Sequence, residues 1–513
     1  MSDPIRHEAS DQDAEKGHAG QIEPKLGATA VVDAALERRV VRKLDHRIVP
    51  LVSFLFLLSF LDRSNIGNAR IAGMEEDLGL RGDQYEWLLT IFYIPYILFE
   101  FLIIMWKVLP PHAWACFIVF AWGVVATCQA AVTSWGGLMA LRFLLGASEA
   151  GFGPGIPYLL SFFYLRHELG FRSGLFLAAA PLATCFSGAL AYGITSGHPG
   201  LANWRLLFLV EGVPTILMAP VAYFCLPDTP QHARFLTGPE KQAATARGVK
   251  QVGDSPAARV GGIHWPDVLA TLRDPKPWLT AFMYFSCNVS YASLPVFVPT
   301  ILNQMGFGGV TAQGLSAPPF FLSACLTVLT TWVADRTRQR GLMIIALSLM
   351  AGVGYVMLAT CKSVAARYAG VFLAAAGVFP AIGNILPWVM NNQGSDSRRG
   401  AGMVMLNAVG QCGPLLGTNI FPARERPYYV KGQSVCAAFM FFTALLALAL
   451  RLLLMRENRR LDRRYGTLEE QRARGGAVTA GAKSSEEEGV VEEGEGGGAA
   501  AVENYGPMFR YIL

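Results

Sequence analysis

The chain has 513 residues, of which 52% are hydrophobic and only 16% are charged, with a formal net charge of +5. A soluble domain usually has about 25% charged residues, so this composition excludes an ordinary soluble protein. The basic excess lies mostly in short loops beside apolar runs; it therefore indicates membrane topology, and no nucleic-acid partner is expected. No phosphate-binding loop, metal-ligand spacing or nucleophile motif occurs, so we expect no enzyme activity, cofactor or metal.

The nine cysteines all fall in apolar runs, and none forms a Cys-x-x-Cys or Cys/His cluster. Because their number is odd and their surroundings are apolar, we expect no disulfide framework. We predict that they are small buried hydrophobic side chains.

Residues 1–45 are polar, and a basic collar runs from Arg38 to Arg47. They contain no apolar segment of the signal-peptide type, and we predict a disordered tail. Twelve apolar runs follow, each about 20 residues long, which is the length that a helix needs to cross a bilayer. Their approximate limits are 46–70, 84–106, 112–132, 137–164, 171–194, 204–226, 276–302, 314–334, 341–361, 365–391, 399–421 and 432–455.

Loop charges set the orientation of this predicted helical membrane protein. With both termini on one side, Lys and Arg favour that side by about three to one. The positive-inside rule then places both termini and the connection 227–275 in the cytoplasm. We expect a monomer in the plasma membrane, with an internal organelle membrane as the alternative.

An internal repeat supports a division at the long connection. A shift of 226 residues aligns Pro154 with Pro380 and Gly174 with Gly400, and the spacing from proline to Arg-x-Gly is the same in both halves. Repetition at a constant offset is typical of a duplicated architecture. The sequence therefore predicts an all-α membrane protein of twelve transmembrane helices in two pseudo-symmetric six-helix bundles, 46–226 and 276–455.

The polar stretch that ends the first apolar run contains Asp62, Arg63 and Asn65. A charge in the hydrocarbon costs roughly 2.5–3.5 kcal/mol on insertion scales, so such residues face the protein interior or a water-filled path. The alternative is that Asp62 begins a loop. The helical spacing of Asn65 and Asn68, and the absence of proline, favour a continuing helix instead.

Span four contains a second pair of charges, Arg142 and Glu149, which are seven residues apart and so share a helical face. Their repeat partners, Tyr368 and Ala375, are neutral, which concentrates the intramembrane charge in the first bundle. The two residues could pair with each other or anchor at the membrane interfaces. Seven residues span about 10 Å along a helix axis, and this separation favours other partners for both.

Longer motifs give these residues a family context: LDRSNIGNA at Leu61–Ala69, RFLLGASEAGFGPG at Arg142–Gly155 and NWRLLFLVEGVPT at Asn203–Thr215. Together they resemble the major facilitator superfamily. With PWVMNNQGSDSRRG at Pro387–Gly400 and the segment Phe509–Tyr511, they are similar to the fungal allantoate/nicotinate permease branch of the anion:cation symporter family. The resemblance covers about residues 40–456.

The resemblance implies alternating access between two bundles, and coupling of organic-anion uptake to inward proton movement. The arginine of the family's first-helix motif falls on Arg63, a partner for a substrate carboxylate. The fourth-helix motif falls on Arg142 and Glu149, and Glu149 becomes the proton-coupling acid. Asp62 joins this proton-coupling group, although its neighbour Arg63 favours its charged form, whereas a carboxyl in low dielectric such as Glu149 is readily protonated.

Further site residues follow from the same resemblance. The family's loop motif matches Asp335-Arg336 but is missing at the repeat-related Leu109-Pro110. Animal relatives have an arginine in the seventh helix, and its absence here favours a monoanion or a partly neutral substrate. We expect substrate contacts from polar residues in several spans, namely Arg63, Asn65, Asn288, Tyr291, Asn384 and Asn407. We expect gating by four charged residues at loop ends, namely Asp335, Arg336, Arg172 and Arg398.

The sequence leaves three functions open: a proton-coupled importer of a small organic anion, an exporter of a metabolite on the same fold, and a non-transporting nutrient sensor. The presence of both Arg63 and Glu149 favours transport, because a sensor needs no proton acid. Residues 456–513 are rich in Glu, Gly and Ala and are predicted to form a disordered acidic tail. This tail is either a spacer or a regulated segment with phosphorylation at Ser484 and Ser485.

Overall fold

The computed structural model describes residues 34–196, 200–252, 265–393, 396–467, 470 and 510–513. Within these ranges the chain is helical and contains no β-strand. Most of the two predicted tails, including Ser484 and Ser485, lies outside the described residues. The remainder forms the twelve spans of an all-α membrane protein, numbered below in chain order.

Each bundle has six spans. Those of the first are Ala34–Ser64 with its continuations Ile66–Ala69 and Arg70–Met74, Gln84–Leu98 with Glu100–Ile104 and Met105–Val108, Pro111–Cys128 with Gln129–Ala131, Trp135–Glu149 with Gly155–Leu160, Arg166–Thr195, and Asn203–Cys225. Those of the second are Pro275–Gln304, Gly309–Thr337, Arg340–Thr360, Val364–Asn391, Asp396–Gly410 with Gly413–Gly417, and Val430–Tyr465. Between the bundles lie a loop helix, Gly238–Val252, and the short helix Trp265–Arg273.

Three of the twelve spans are interrupted, and the sequence explains two of the interruptions. Nine helices in the described part of the chain are each long and apolar enough to cross a bilayer, and span two does so as a pair of helices bent by 48°. Span four unwinds at residues 150–154, where two glycines precede Pro154. Span eleven unwinds just before Pro414. Proline lacks the donor for an intrahelical hydrogen bond, and glycine costs conformational entropy, so both weaken a helix.

The first helix begins at Ala34, well before the predicted limit of residue 46. Val40, Leu44 and Ile48 are buried and recur every four residues, so the basic collar is one face of an amphipathic helix. Its charged face is held by Glu240 on the loop helix, which accepts a hydrogen bond from Lys43 at 2.8 Å. The collar is thus part of the folded first bundle.

Spans five and eight join the two bundles along most of their length. Small residues permit the close approach: a Cβ on Gly174 would lie 2.5 Å from Thr331 Oγ1, and a Cβ on Gly188 would overlap Ser316. Such small-residue contacts are typical of helix pairs in membranes. We call the end of the molecule with the 226–275 connection the loop end, and the opposite end the far end.

The far end is closed by polar contacts between the bundles. Thr90 of span two lies 3.0 Å from Thr418 of span eleven, hydroxyl to hydroxyl, and Asn419 Nδ2 donates to the same Thr90 hydroxyl at 2.9 Å. Gln313 Nε2 of span eight donates to the carbonyl of Asn68 at 3.3 Å. These contacts join two helix pairs across the bundles, spans two and eleven and spans one and eight.

The prediction that the cysteines are buried is wrong for most of them. Only Cys287 and Cys436 are buried, whereas four are exposed: Cys128, Cys225, Cys325 and Cys412. In a membrane helix the outward face meets lipid, and a small apolar side chain is as stable there as in the core. The nine thiols are free.

Candidate functional site

A buried ion pair lies near the middle of the first bundle. Arg63 Nη2 of span one donates to Glu149 Oε2 of span four at 2.9 Å, and Ser59 Oγ donates to the same oxygen at 2.9 Å. The Glu149 side chain is fully buried, whereas 12% of the Arg63 side chain is exposed. The helix continues through Asp62, which excludes the alternative that Asp62 begins a loop.

Aromatic rings surround the Arg63 guanidinium. Its Cζ lies 4.9 Å from the ring centroids of both Phe92 and Tyr96 and 5.7 Å from that of Phe60. A cation over an aromatic face is attracted by the ring quadrupole, and more strongly where water is excluded. Arg63 Nε is buried and has no hydrogen-bond partner among the described residues. The rings therefore hold the cation in place and leave a donor unused.

Arg142 does not pair with Glu149, although the two share a helix. Its Nε donates to the carbonyl of Leu88 at 3.4 Å, and its Nη2 donates to the carbonyl of Arg63 at 3.5 Å. The side chain is 1% exposed. Arg142 thus contacts spans one and two through backbone oxygens, and it is not a member of the Arg63–Glu149 ion pair.

A second acidic group lies deeper in the first bundle. Thr215 Oγ1 of span six donates to Asp62 Oδ2 at 3.1 Å, and Ser187 Oγ donates to Glu211 Oε1 at 3.3 Å. Glu211 is 2% exposed, and its other oxygen is unpartnered in the described structure. The sequence analysis did not select Glu211. Its signal was a single acid inside an apolar run, which is a functional candidate by default.

The Glu211 contact leads towards the far end. Asn68 Nδ2 donates to the same Ser187 hydroxyl at 2.9 Å, and the Asn68 carbonyl accepts from Gln313 of the second bundle. Thr195 Oγ1 in turn donates to Gln313 Oε1 at 2.5 Å. One hydrogen-bonded chain therefore runs from a buried acid to the far-end contact between the bundles.

Arg63 lies between two internal spaces. The larger, about 620 Å³ including its mouth, extends towards the loop end between spans one, two, four, five, seven, ten and eleven. The smaller, about 330 Å³, lies on the far-end side between spans one, two, four, seven and eleven, and Arg142 is part of its lining. Both are lined by Arg63, Tyr93 and Tyr291. A ligand bound to Arg63 could therefore be approached from either end, once the contacts at that end opened.

The predicted substrate residues divide into two groups. Asn288, Tyr291 and Asn407 line the larger cavity together with Arg63. Asn65 is completely buried in the first bundle and lines neither space. Asn384 is also buried outside both spaces, and its Nδ2 donates to the Pro380 carbonyl at 2.9 Å. The part of the cavity wall that the second bundle supplies is therefore neutral and combines amides, tyrosine rings and aliphatic side chains.

The four predicted gating residues lie at the loop end but do not form one cluster. Asp335 pairs with Arg340 at the beginning of span nine, and a Cβ on Gly170 of span five would overlap both side chains. Arg336 is exposed and stacks on Trp332, with 5.5 Å from Cζ to the ring centroid.

The other two gating candidates lie on spans five and eleven. Arg172 Nε and Nη2 donate to the two carboxylate oxygens of Asp45 at 2.6 and 2.7 Å. This ion pair ties span five to span one within the first bundle. Arg398 lies half-buried at the beginning of span eleven. The Asp335–Arg340 pair meets the first bundle at Gly170.

Comparison with known proteins places this arrangement in a family. The Major Facilitator Superfamily model matches residues 52–418. MFS transporter prlL of Fungal sp. (strain NRRL 50135) is 33% identical, over 90% of this chain and 97% of its own. The high-affinity nicotinic acid transporter of Saccharomyces cerevisiae is 30% identical, over 82% and 79%.

Solved structures show the same fold. A bacterial homologue of the human lysosomal transporter Spinster, in an inward-facing and unoccupied conformation, superimposes with a TM-score of 0.59. It is 16% identical and covers 82% of this chain and 97% of its own.

Proposed function

This chain belongs to the Major Facilitator Superfamily, and we propose that within it the protein is a secondary transporter that imports a small organic anion together with protons. The observation that carries the proposal is the Arg63–Glu149 pair, whose arginine lines a cavity while its acid is fully buried behind it. A buried ion pair is weak evidence for stability alone. Arg63 lies between two internal spaces, one towards each end of the protein, and this position supports a role in transport.

The proposed coupling rests on competition for one guanidinium. With Glu149 ionised, its carboxylate occupies Arg63, and a substrate carboxylate would have to displace it. A proton on Glu149 removes that competitor and leaves the arginine fork for a bidentate contact with the substrate. Anion and proton then favour each other's binding, which is the thermodynamic requirement for symport.

The cavity wall supports a flat monoanion as substrate. Arg63 is the cation at its wall, and Tyr93, Tyr96 and Tyr291 place aromatic rings beside it. Asn288 and Asn407 offer donors and acceptors on the opposite side. A planar acid with one carboxylate and a ring or amide fits this chemistry. The similarity to a nicotinic acid transporter supports the same class of substrate.

We further propose that the loop end faces the cytoplasm, with both termini on that side, in the plasma membrane of a monomeric transporter. The positive-inside charge distribution supports this orientation. The far end is then closed, and the larger cavity lies on the cytoplasmic side. Protease digestion of sealed right-side-out vesicles should leave the 226–275 connection intact, and cleavage there from outside would reverse the orientation.

The test of the proposed function uses the purified chain in proteoliposomes with nicotinate as the first probe, followed by other aromatic and aliphatic monocarboxylates. An inward proton gradient should drive accumulation above equilibrium, and an uncoupler should abolish it. Dicarboxylates should compete poorly. Uptake that follows only the substrate gradient, at every pH, would contradict proton coupling.

A further inference from the structure

The segment Arg510–Leu513 lies in a groove at the loop end of the second bundle, and the described residues that hold it are remote from it in sequence. The described chain leaves span twelve at Tyr465, and after residue 470 it is described again only from Arg510. Arg510 Nε donates to Asp462 Oδ1 at 2.7 Å, and Arg510 Nη2 donates to the Gly466 carbonyl at 2.7 Å. A charged pair thus fixes the first residue of the segment.

The next two residues are held through their backbone. Tyr511 N donates to Asn458 Oδ1 at 2.8 Å, and Asn458 Nδ2 donates to the Tyr511 carbonyl at 2.9 Å. Ile512 makes the same two-way contact with Asn392, at 2.8 and 3.0 Å. A side-chain amide offers one donor face and one acceptor face, so each asparagine pairs with a peptide unit as a neighbouring strand would.

Further contacts complete the groove. Trp388 Nε1 donates to the Ile512 carbonyl at 2.8 Å, and Gly341 N donates to the Leu513 carbonyl at 3.2 Å. The Tyr511 side chain is only 8% exposed, with Lys276 Nζ 5.3 Å from its ring centroid. The contacts come from spans seven, nine, ten and twelve.

The helices present these groups in register. Trp388 and Asn392 are four residues apart on span ten, and Asn458 and Asp462 are four residues apart on span twelve. Residues at this spacing lie on one helical face. Two helices therefore each direct a pair of polar side chains at one bound segment, an arrangement that packing between the helices does not require.

We propose that this groove is a peptide-binding site, that its ligand is the chain's own basic–aromatic–aliphatic segment Arg510–Leu513, and that its occupancy holds the loop end closed. The link to closure is Gly341. Its backbone binds Leu513, and the preceding residue, Arg340, pairs with Asp335 against Gly170 of the first bundle. Release of the segment frees the beginning of span nine and weakens that contact.

The test releases the segment from protein that has already folded. A protease site is engineered between residues 486 and 500 of the full chain, and the purified protein is cleaved in nanodiscs. A fluorescent peptide with the sequence of Met508–Leu513 is then added in excess. We expect saturable binding to the cleaved protein and little binding to the uncleaved protein, in which the groove is occupied.

Exchanging the two charges tests whether the arginine of the peptide lies opposite Asp462. Replacing the arginine of the peptide by glutamate should weaken binding about tenfold or more, because the contact with Asp462 involves two charged groups. Cleaved Asp462→Arg protein should prefer the glutamate peptide. Absence of saturable binding, or equal binding of both peptides to both proteins, would overturn the site. Dimerisation of the uncleaved protein through this segment would overturn its assignment to the same chain.

The consequence for opening is measured without any transported substrate, so it is independent of the proposed anion. Met403 lines the larger cavity, and Met403→Cys is labelled with a charged thiol reagent and read by mass spectrometry. Cleavage and removal of the segment should speed labelling at least threefold, and added peptide should reverse the change. Equal labelling rates with and without peptide would show that the segment does not control the loop end.

Discussion

The two bundles share a repeat, yet they differ in what they bury. The spans of the first bundle bury the acids Asp62, Glu149 and Glu211 together with Arg142, and they hold Arg63, whose side chain is 12% exposed. At the offset of 226 residues, the second has only neutral side chains. The pairs are Asp62 with Asn288, Arg63 with Val289, Arg142 with Tyr368, Glu149 with Ala375, and Glu211 with Ala437. The electrostatic part of the site therefore belongs to one bundle, and the other supplies a neutral wall.

The two bundles also differ in how regular their helices are. Span four unwinds at residues 150–154, directly after Glu149, whereas its repeat partner is one continuous helix, Val364–Asn391. Gly151 and Pro154 have counterparts at Gly377 and Pro380, so these residue types alone do not break the second helix. The other glycine of the break, Gly153, has no counterpart, since Phe379 takes its place. The bundle that holds the charge is also the one with more irregular helices.

The largest expected effect comes from removing the central cation. Arg63→Ala should reduce uptake about 100-fold, because loss of a hydrogen bond to a charged group costs up to about 3 kcal/mol. Arg63→Lys keeps the charge but loses the fork and should retain weak binding. Substrate binding and uptake are measured in proteoliposomes, with the exposed Arg81→Ala as control. Normal affinity in the Ala variant would contradict the assignment.

Loss of Arg63 also leaves Glu149 as a buried acid without its cation, which costs about 3–5 kcal/mol if the acid stays ionised. The double variant Arg63→Gln with Glu149→Gln removes both charges at nearly constant volume. It should be more thermostable than Arg63→Gln alone while remaining inactive. This result would separate the cost of an unpaired charge from the loss of a substrate contact.

The second prediction concerns Glu149, which Gln imitates in its protonated form. Glu149→Gln should keep substrate binding and counterflow, because Arg63 remains available. It should lose accumulation driven by a proton gradient. Exposed Glu76→Gln is the control, and Asp62→Asn, which should instead disturb folding or gating, is the competing candidate. Proton-driven accumulation by the Gln variant would move the coupling acid to Asp62 or Glu211.

The sequence predicted the fold well because spans of about 20 apolar residues, loop charges and a constant repeat offset are all local or periodic signals. It selected Arg63 and Glu149 for the cost of burying charge. Their contact could not be derived from sequence spacing, since the two residues lie on different helices and are 86 residues apart in the chain. Glu211 was missed although it carried the same signal. The basic collar was expected to be disordered because its buried stripe, Val40 and Leu44, is short and lies among charges.

The third prediction compares two repeat-related glycines. A Cβ on Gly174 would lie 2.5 Å from Oγ1 and 2.7 Å from Cβ of Thr331, a stiff branched side chain of the second bundle. A Cβ on Gly400 would have no atom within 4 Å. Gly174→Ala should therefore cost about 1–3 kcal/mol of stability through overpacking. Gly400→Ala should be neutral or stabilising by up to about 1 kcal/mol. Thermal unfolding in detergent checks both, and equal shifts would show that spans five and eight do not pack this closely.

The smallest expected effect concerns the loop helix, which is attached to the first bundle by ion pairs at the loop end. The loop helix Gly238–Val252 contacts that bundle through Lys43 with Glu240, and through Arg247 with Glu37 and Glu168. The second bundle instead binds Arg510–Leu513. Each bundle thus has its own appendage at the loop end, and the ion pair between Lys43 and Glu240 is the simplest to measure.

Lys43, with a contribution from the Thr237 N–H, holds the pKa of Glu240 below its ordinary value of 4.5. A carboxylate with a lowered pKa stabilises the fold fully above its ordinary pKa, and this contribution is lost as the pH falls through the lowered value. Because Lys43 is partly exposed, Glu240→Gln should cost at most about 1 kcal/mol near pH 7. The difference in Tm between the two proteins should shrink below about pH 4.5 and vanish in stronger acid. A difference that grew on acidification would mean that Glu240 stabilises the loop helix in its protonated form, and the loop helix would then be held to the first bundle chiefly by Arg247.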